Sequence, residues 1–131
     1  MWRTIGSIVA GLAAWAVIAT ILNFGLRLVI PGYVQAEPIL AFTMTMKIGR
    51  LTEAAIASIG AGAVVRAVAP MSRWAPWIAG AIVLCMFLPV HIQIWDKFPA
   101  WYHLTFLLTI VPLFVLGASI RMGSRREPSP A

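Results

Sequence analysis

The sequence predicts an all-α integral membrane protein, an antiparallel bundle of four transmembrane helices with both termini in the cytoplasm. Three observations predict this fold class. The 131 residues are 61% hydrophobic and 11% charged, whereas soluble domains are about 45–50% apolar and about 25% charged. Four apolar stretches are long enough to cross a hydrocarbon layer of about 30 Å at 1.5 Å per residue. The basic residues lie mostly between these stretches, as they do in membrane proteins.

A single domain, residues 1–122, contains the four predicted helices, which cover residues 5–29, 39–68, 77–95 and 99–121. Prolines and glycines mark the connections, in the segments IPGY, APMSRWAP and KFP. The first apolar stretch, at about 22 residues, exceeds the core of a cleavable signal peptide, which has about 7–15. We therefore expect a retained first helix. Residues 123–131 are predicted to form a short, disordered cytoplasmic tail.

The distribution of basic residues predicts the orientation. With the N-terminus in the cytoplasm, the opposite side keeps two basic residues, Arg27 and Lys97. The cytoplasmic side then has six arginines, which are Arg3, Arg66, Arg73, Arg121, Arg125 and Arg126. This asymmetry follows the positive-inside rule and predicts a bacterial inner membrane protein. No basic stripe is present, so the net charge of +6 does not indicate a nucleic-acid partner.

The second predicted helix contains three charged residues, Lys47, Arg50 and Glu53. A charge at the bilayer centre costs about 3 kcal/mol on insertion scales, so these side chains are expected to satisfy one another. Residues three apart are neighbours on a helix. The spacing therefore predicts an intramembrane charge network in which Arg50 meets Glu53 and Lys47 lies beside Arg50.

The same helix carries small residues that are predicted to pack against other helices. In lipid, small side chains allow backbones to approach closely, and this contact drives helix association. The predicted packing residues are Ala54, Ala57, Ser58, Gly60, Ala61 and Gly62. A glycine- and alanine-rich helix also suits contacts with a second copy of the chain or with a larger complex.

A layer of polar side chains is predicted at the outer face of the bundle. Its members are Asn23, Arg27, Glu37, His91, Gln93, Asp96 and His103. Their charges, with those of the second helix, nearly balance, which favours an internally paired network. His91 and His103 flank the predicted outer hairpin at similar depth. Histidine pairs can bind metal, but no tight ligand spacing occurs here, and we predict no metal and no cofactor.

Cys85 is the only cysteine of the sequence. A lone cysteine excludes an intramolecular disulfide and the thiol exchange that needs a partner thiol, so we expect a small buried hydrophobe. In size and helix number the chain resembles small multidrug-resistance transporters. Its first predicted helix lacks the acidic residue on which that family depends.

Three functions are compatible with these features, and no catalytic residue is predicted. The first, which the sequence favours over the two alternatives that follow, is a non-enzymatic accessory or scaffold protein, homo-oligomeric or part of a larger membrane complex. The second is a small proton-coupled transporter that uses Glu53, because ionisable groups within a membrane are functional candidates by default. The third is a metal- or quinone-linked redox protein that uses His91 and His103. The sequence does not identify a substrate.

Overall fold

The computed structural model describes the backbone of residues 1–123 and the side chains of residues 1–120, and all regular structure in this part is helical. The helices are α1 (Trp2–Val29), α2 (Tyr33–Ala36), α3 (Met44–Val68), α4 (Ala75–Gln93) and α5 (Ala100–Gly123). Four of them, α1, α3, α4 and α5, are long and apolar enough to span a membrane. The structure thus confirms an all-helical chain with four apolar helices, which indicates an integral membrane protein. Residues 124–131, most of the predicted tail, lie outside the described part.

The largest difference from the predicted boundaries is the start of α3. We expected a helix from residue 39, but it begins at Met44, after the short α2 and a 3-10 turn over Glu37–Ile39. Thr43 has extended backbone, and its hydroxyl oxygen accepts a hydrogen bond from the Met46 amide at 3.4 Å. This is the geometry of a threonine N-cap, which satisfies an amide that the first helical turn leaves free.

Helix α3 packs closely against α1 and α5 through glycines. A Cβ on Gly62 would collide with the carbonyl group of Phe114 in α5, and a Cβ on Gly117 would collide with the carbonyl group of Ile59 in α3. Gly11 of α1 instead lies against the side chain of Val65 in α3, which occupies the space that a Cβ would need. At Gly62 and Gly117, the missing side chains bring the backbones of α3 and α5 into direct contact.

The small residues of α3 are therefore occupied within the chain. Five of the six predicted packing residues are buried, and Gly60 is half-buried against Ile18 of α1. The buried five are Ala54, Ala57, Ser58, Ala61 and Gly62. This use of the small residues leaves little of that face of α3 free for a second chain.

The connection between α3 and α4 is held by two arginines. Arg3 donates a hydrogen bond to the carbonyl oxygen of Val68 at 3.1 Å. Arg66 donates to the carbonyl oxygens of Pro70 and Ser72, at 3.0 and 3.1 Å. Both arginines are predicted as topology signals alone, and the structure adds that they satisfy carbonyl groups, one at the end of α3 and two in the loop after it.

Cys85 is exposed on the surface of α4. The expectation that it would be buried is wrong. The reason is that α4 directs its small residues, Ala75, Ala79 and Gly80, toward the bundle, while an apolar cysteine is stable at a lipid-facing position as well.

Candidate functional site

A continuous chain of polar contacts joins the α1–α3 connection to the interior of the bundle. Arg27 forms an ion pair with Glu37. The side-chain amide of Asn23 donates to Glu37 at 3.0 Å, and the hydroxyl of Tyr33 donates to the amide oxygen of Asn23 at 2.8 Å. Arg50 in turn donates through Nη1 to the Tyr33 hydroxyl at 2.8 Å. Three predicted members of the outer polar layer, Asn23, Arg27 and Glu37, thus come together.

The guanidinium of Arg50 is held by three aromatic residues, which we call the tyrosine clamp: Tyr33, Phe42 and Tyr102. Besides its bond to Tyr33, Arg50 donates through Nε to the Tyr102 hydroxyl at 3.3 Å, and its Cζ lies 4.8 Å from the centre of the Phe42 ring. Burial raises the pKa of Tyr33 above its ordinary value. Its phenol therefore stays neutral, accepting from Arg50 and donating to Asn23 with its single proton.

The structure corrects the predicted network of Lys47, Arg50 and Glu53. Among the side chains of residues 1–120, the pair of Arg27 and Glu37 is the only ion pair within 4.0 Å. Arg50 turns toward the tyrosine clamp, because two other parts of the chain bring phenol oxygens within its reach. These are α5 and the connection between α1 and α3, residues 30–43, which we call the α2 segment. The carboxylate of Glu53 is left without a cationic partner at bonding distance.

A cavity of about 300 Å³ opens beside the clamp. Three charged side chains line the cavity: Glu37, Arg50 and Glu53. The remaining lining is mainly aromatic or small and comprises Trp15, Ala19, Thr20, Asn23, Ala54, Phe87, Tyr102 and Phe106. The cavity therefore combines a few charged groups with an apolar wall, which is the usual composition of a small-molecule site.

The aromatic wall is formed by Trp15, Phe87 and Phe106. Their ring centres are 5.0 Å apart between Trp15 and Phe87 and 5.2 Å apart between Phe87 and Phe106. Trp15 donates its indole N–H to the hydroxyl of Ser58 at 3.1 Å, and Ser58 donates to the Ala54 carbonyl at 2.7 Å. Ser58, predicted only as a packing residue, thus also orients the tryptophan that lines the cavity.

His91 and His103 form a separate buried pair. Their Nδ1 atoms are 2.7 Å apart, and Nε2 of His103 is 3.2 Å from the carbonyl oxygen of Trp95. The Trp95 ring stacks on His103, with centres 4.5 Å apart. Since a carbonyl oxygen only accepts, a neutral His103 carries its proton on Nε2, and its bare Nδ1 accepts from the Nδ1–H of His91.

This geometry predicts different tautomers for the two rings. Nitrogen-15 NMR of the purified protein, with each signal assigned through a His91→Gln or His103→Gln variant, should show His91 protonated at Nδ1 and His103 at Nε2. The reason is that two Nδ1 atoms at this distance need one donor and one acceptor. Two rings protonated at the same nitrogen would contradict the assignment.

The histidine pair does not extend into a metal site. Gln93 and Asp96 are exposed, and the side chains of residues 1–120 include no group of three His, Cys, Asp or Glu residues placed to hold a metal ion. Bonds from a zinc ion to nitrogen are about 2.0–2.1 Å long. Two nitrogens bound to one tetrahedral zinc ion are therefore about 3.3 Å apart, whereas these two lie 2.7 Å apart and make a hydrogen bond.

The residues that hold Arg50 are not among the predicted site residues. Tyr33 lies in a segment expected to be a simple connection, Phe42 lies within the predicted second helix, and Tyr102 lies near the start of the predicted fourth helix. The available signal was the position of the two tyrosines. One precedes the helix that contains the arginine and the other begins the fourth predicted helix, so both lie on the predicted outer side.

No family model, curated protein or solved structure matches the chain.

Proposed function

We propose that the four long helices cross a bacterial inner membrane in alternating directions, with both termini in the cytoplasm. Contacts along the helices support this topology. Gly11, early in α1, faces Val65, late in α3, whereas Leu26, late in α1, is the neighbour of Gly49, early in α3. With this orientation the cavity and the α2 segment lie in the outer half of the bundle, and the loop held by Arg3 and Arg66 lies on the inner side.

Within this topology, the protein acts as a small solute transporter that is coupled to protons through Glu53. The observation that carries the proposal is the cavity, which places an unpaired carboxylate and an arginine inside an apolar bundle. Ionisable side chains are rare within membrane segments because they are costly there, and they commonly mark solute or proton pathways. A carboxylate that only stabilises the bundle would instead be expected to form an ion pair with a neighbouring basic side chain.

The charges around Glu53 define how coupling proceeds. Arg50 lies on the same helix, Glu37 reaches the cavity from the α2 segment, and Tyr102 reaches it from α5, while α1 and α4 contribute Trp15 and Phe87 without charge. A positively charged group of the solute and a proton compete for the Glu53 carboxylate. Protonation on one side of the membrane releases the solute, and proton loss on the other side allows rebinding.

Labelling tests whether water and solutes reach the cavity. In a Cys85→Ser background, Ala19→Cys, which lines the cavity, should react with a membrane-impermeant thiol reagent added from outside. Val17→Cys, two residues away and exposed on the outer surface of α1, should be protected by lipid. Equal protection of both thiols would contradict an accessible cavity.

Coupling is tested in proteoliposomes that contain a pH-sensitive dye. Across a panel of small solutes, wild type should produce a solute-induced change in lumenal pH, and Glu53→Gln should abolish it. Asp96→Asn, an exposed carboxyl outside the cavity, is the matched control and should behave as wild type. A pH response that persists in Glu53→Gln would remove Glu53 from the mechanism.

A second candidate function, an oligomeric scaffold, is supported by the exposure of α1. Among its 28 residues, Ser7 and Gly11 are the buried ones, and a Cβ added to Gly6 would have nothing within 4 Å. Small residues on a free helix face allow a second helix to approach. Cross-linking in native membranes tests this function, because Gly6→Leu should abolish a dimer that depends on α1 and leave the fold intact.

A further inference from the structure

The cavity holds two opposite charges apart. Arg50 and Glu53 are three residues apart on α3, a spacing at which side chains can meet, yet they form no ion pair. The tyrosine clamp draws the guanidinium to one side. We propose that the cavity binds a small zwitterion, with its carboxylate on Arg50 and its alkylated ammonium group between Glu53 and the aromatic wall. This inference rests on the proposed solute-binding function and specifies the class of solute.

Arg50 retains a free donor for the carboxylate. Its Nε and Nη1 are committed to Tyr102 and Tyr33, and Nη2 makes no hydrogen bond to the side chains and backbone of the described residues. Among the described residues, the only side-chain polar atom that is both buried and without a hydrogen-bond partner is Nε of Arg66. Nη2 of Arg50 has no partner either, so it is not buried, and Arg50 lines the cavity. A guanidinium that is fixed in orientation binds a carboxylate with little loss of freedom.

The aromatic wall of the cavity suits an alkylated ammonium group. Aromatic faces attract such cations through their negative ring faces, and the wall of Trp15, Phe87 and Phe106 provides adjoining rings. Glu53 lines the same cavity and supplies the counter-charge. An alkylated ammonium suits this environment because its methyl groups replace hydration with ring contacts.

The balance of charge favours a zwitterion over a ligand with a single charge. Glu37 is already neutralised by Arg27, so the unpaired charges at the cavity are one positive, on Arg50, and one negative, on Glu53. A simple cation would leave Arg50 without a counter-ion, and a simple anion would leave Glu53 without one. The volume of about 300 Å³ is at the lower end of the range for ligand pockets, which restricts the ligand to a small molecule.

Calorimetric titration of the full chain in nanodiscs tests the inference with three ligands of nearly equal shape. Glycine betaine has both charges, 3,3-dimethylbutanoate is its analogue with carbon in place of nitrogen and has only the carboxylate, and choline has only the ammonium. Glycine betaine should bind at least about tenfold more tightly than either analogue, which corresponds to about 1.4 kcal/mol. Glu53→Gln should remove this advantage over 3,3-dimethylbutanoate, and Asp96→Asn should retain it.

Two results would overturn the inference. One is an analogue with a single charge that binds as tightly as glycine betaine, and the other is the absence of glycine betaine binding. Both leave the proposed function standing if Ala19→Cys is labelled and other solutes evoke a pH response that depends on Glu53. Loss of that response and of labelling would remove the proposed function itself. The comparison of ligands on wild type does not depend on any variant that folds poorly.

Discussion

Gly62→Ala is expected to destabilise the bundle by about 2–3 kcal/mol, the upper part of the range for overpacked cores. The added methyl group would meet the carbonyl group of Phe114, which is backbone and cannot rotate away. Helix α5 must therefore move off α3, and the contact of Gly117 with Ile59 on the same interface is lost with it. Reversible unfolding in mixed micelles, followed by circular dichroism, measures the change in the free energy of unfolding.

Gly25→Ala is the matched control. Gly25 also lies in a long helix, but an added Cβ would have nothing within 4 Å. Alanine is favoured over glycine in a helix interior by about 0.8–1.0 kcal/mol in water, so this variant should be neutral or slightly more stable. The two glycines thus predict changes of opposite sign from one chemical substitution. Equal stability of both variants would show that α3 and α5 do not touch at Gly62.

Arg50→Gln is expected to cost about 2 kcal/mol of stability. Hydrogen bonds to a charged group contribute about 1.5–3 kcal/mol each, and the variant weakens two of them, to Tyr33 and Tyr102. Part of this loss is offset because the variant no longer desolvates a guanidinium. The same unfolding experiment in mixed micelles measures the difference.

Lys47→Gln provides the comparison for Arg50. Lys47 is half-buried one turn earlier on α3 and forms no ion pair among the described side chains. Its replacement should change stability by less than about 0.5 kcal/mol. A double-mutant cycle of Arg50→Gln with Tyr102→Phe should give a coupling energy within the range of about 0.5–3 kcal/mol seen for residues in contact. Equal effects of Arg50→Gln and Lys47→Gln on stability, with zero coupling energy between Arg50 and Tyr102, would show that the tyrosine clamp does not hold Arg50.

The long helices were predictable because a membrane imposes a simple physical constraint. Backbone groups in hydrocarbon must be satisfied within the segment, so an apolar stretch of sufficient length is a helix. Their ends were less predictable, as the start of α3 at Met44 shows. The threonine cap at residue 43 was visible in the sequence, but the apolar residues before it, such as Ile39 and Leu40, resembled a continuing span.

The partners of charged side chains could not be predicted from spacing. Helical geometry correctly makes Arg50 and Glu53 neighbours, but a long side chain selects its partner from all groups within reach. Tyr33 and Tyr102 reach Arg50 only after the α2 segment folds over the end of the bundle and α5 packs beside α3. The approach of His91 to His103 was expected from the hairpin, whereas their direct hydrogen bond depends on helix rotation, which apolar sequences encode weakly.

Hydrocarbon surrounds these helices in the proposed topology, and the native Cys85 tests this placement without any substitution. It is the eleventh residue of the 19 in α4 and is exposed, so it should face lipid near the middle of the membrane. A spin label on Cys85 in liposomes should collide often with oxygen, which dissolves in hydrocarbon, and rarely with a water-soluble nickel chelate. Frequent collisions with the chelate, equal to those of a label on Asp96→Cys, would place α4 in water and contradict its position in the membrane.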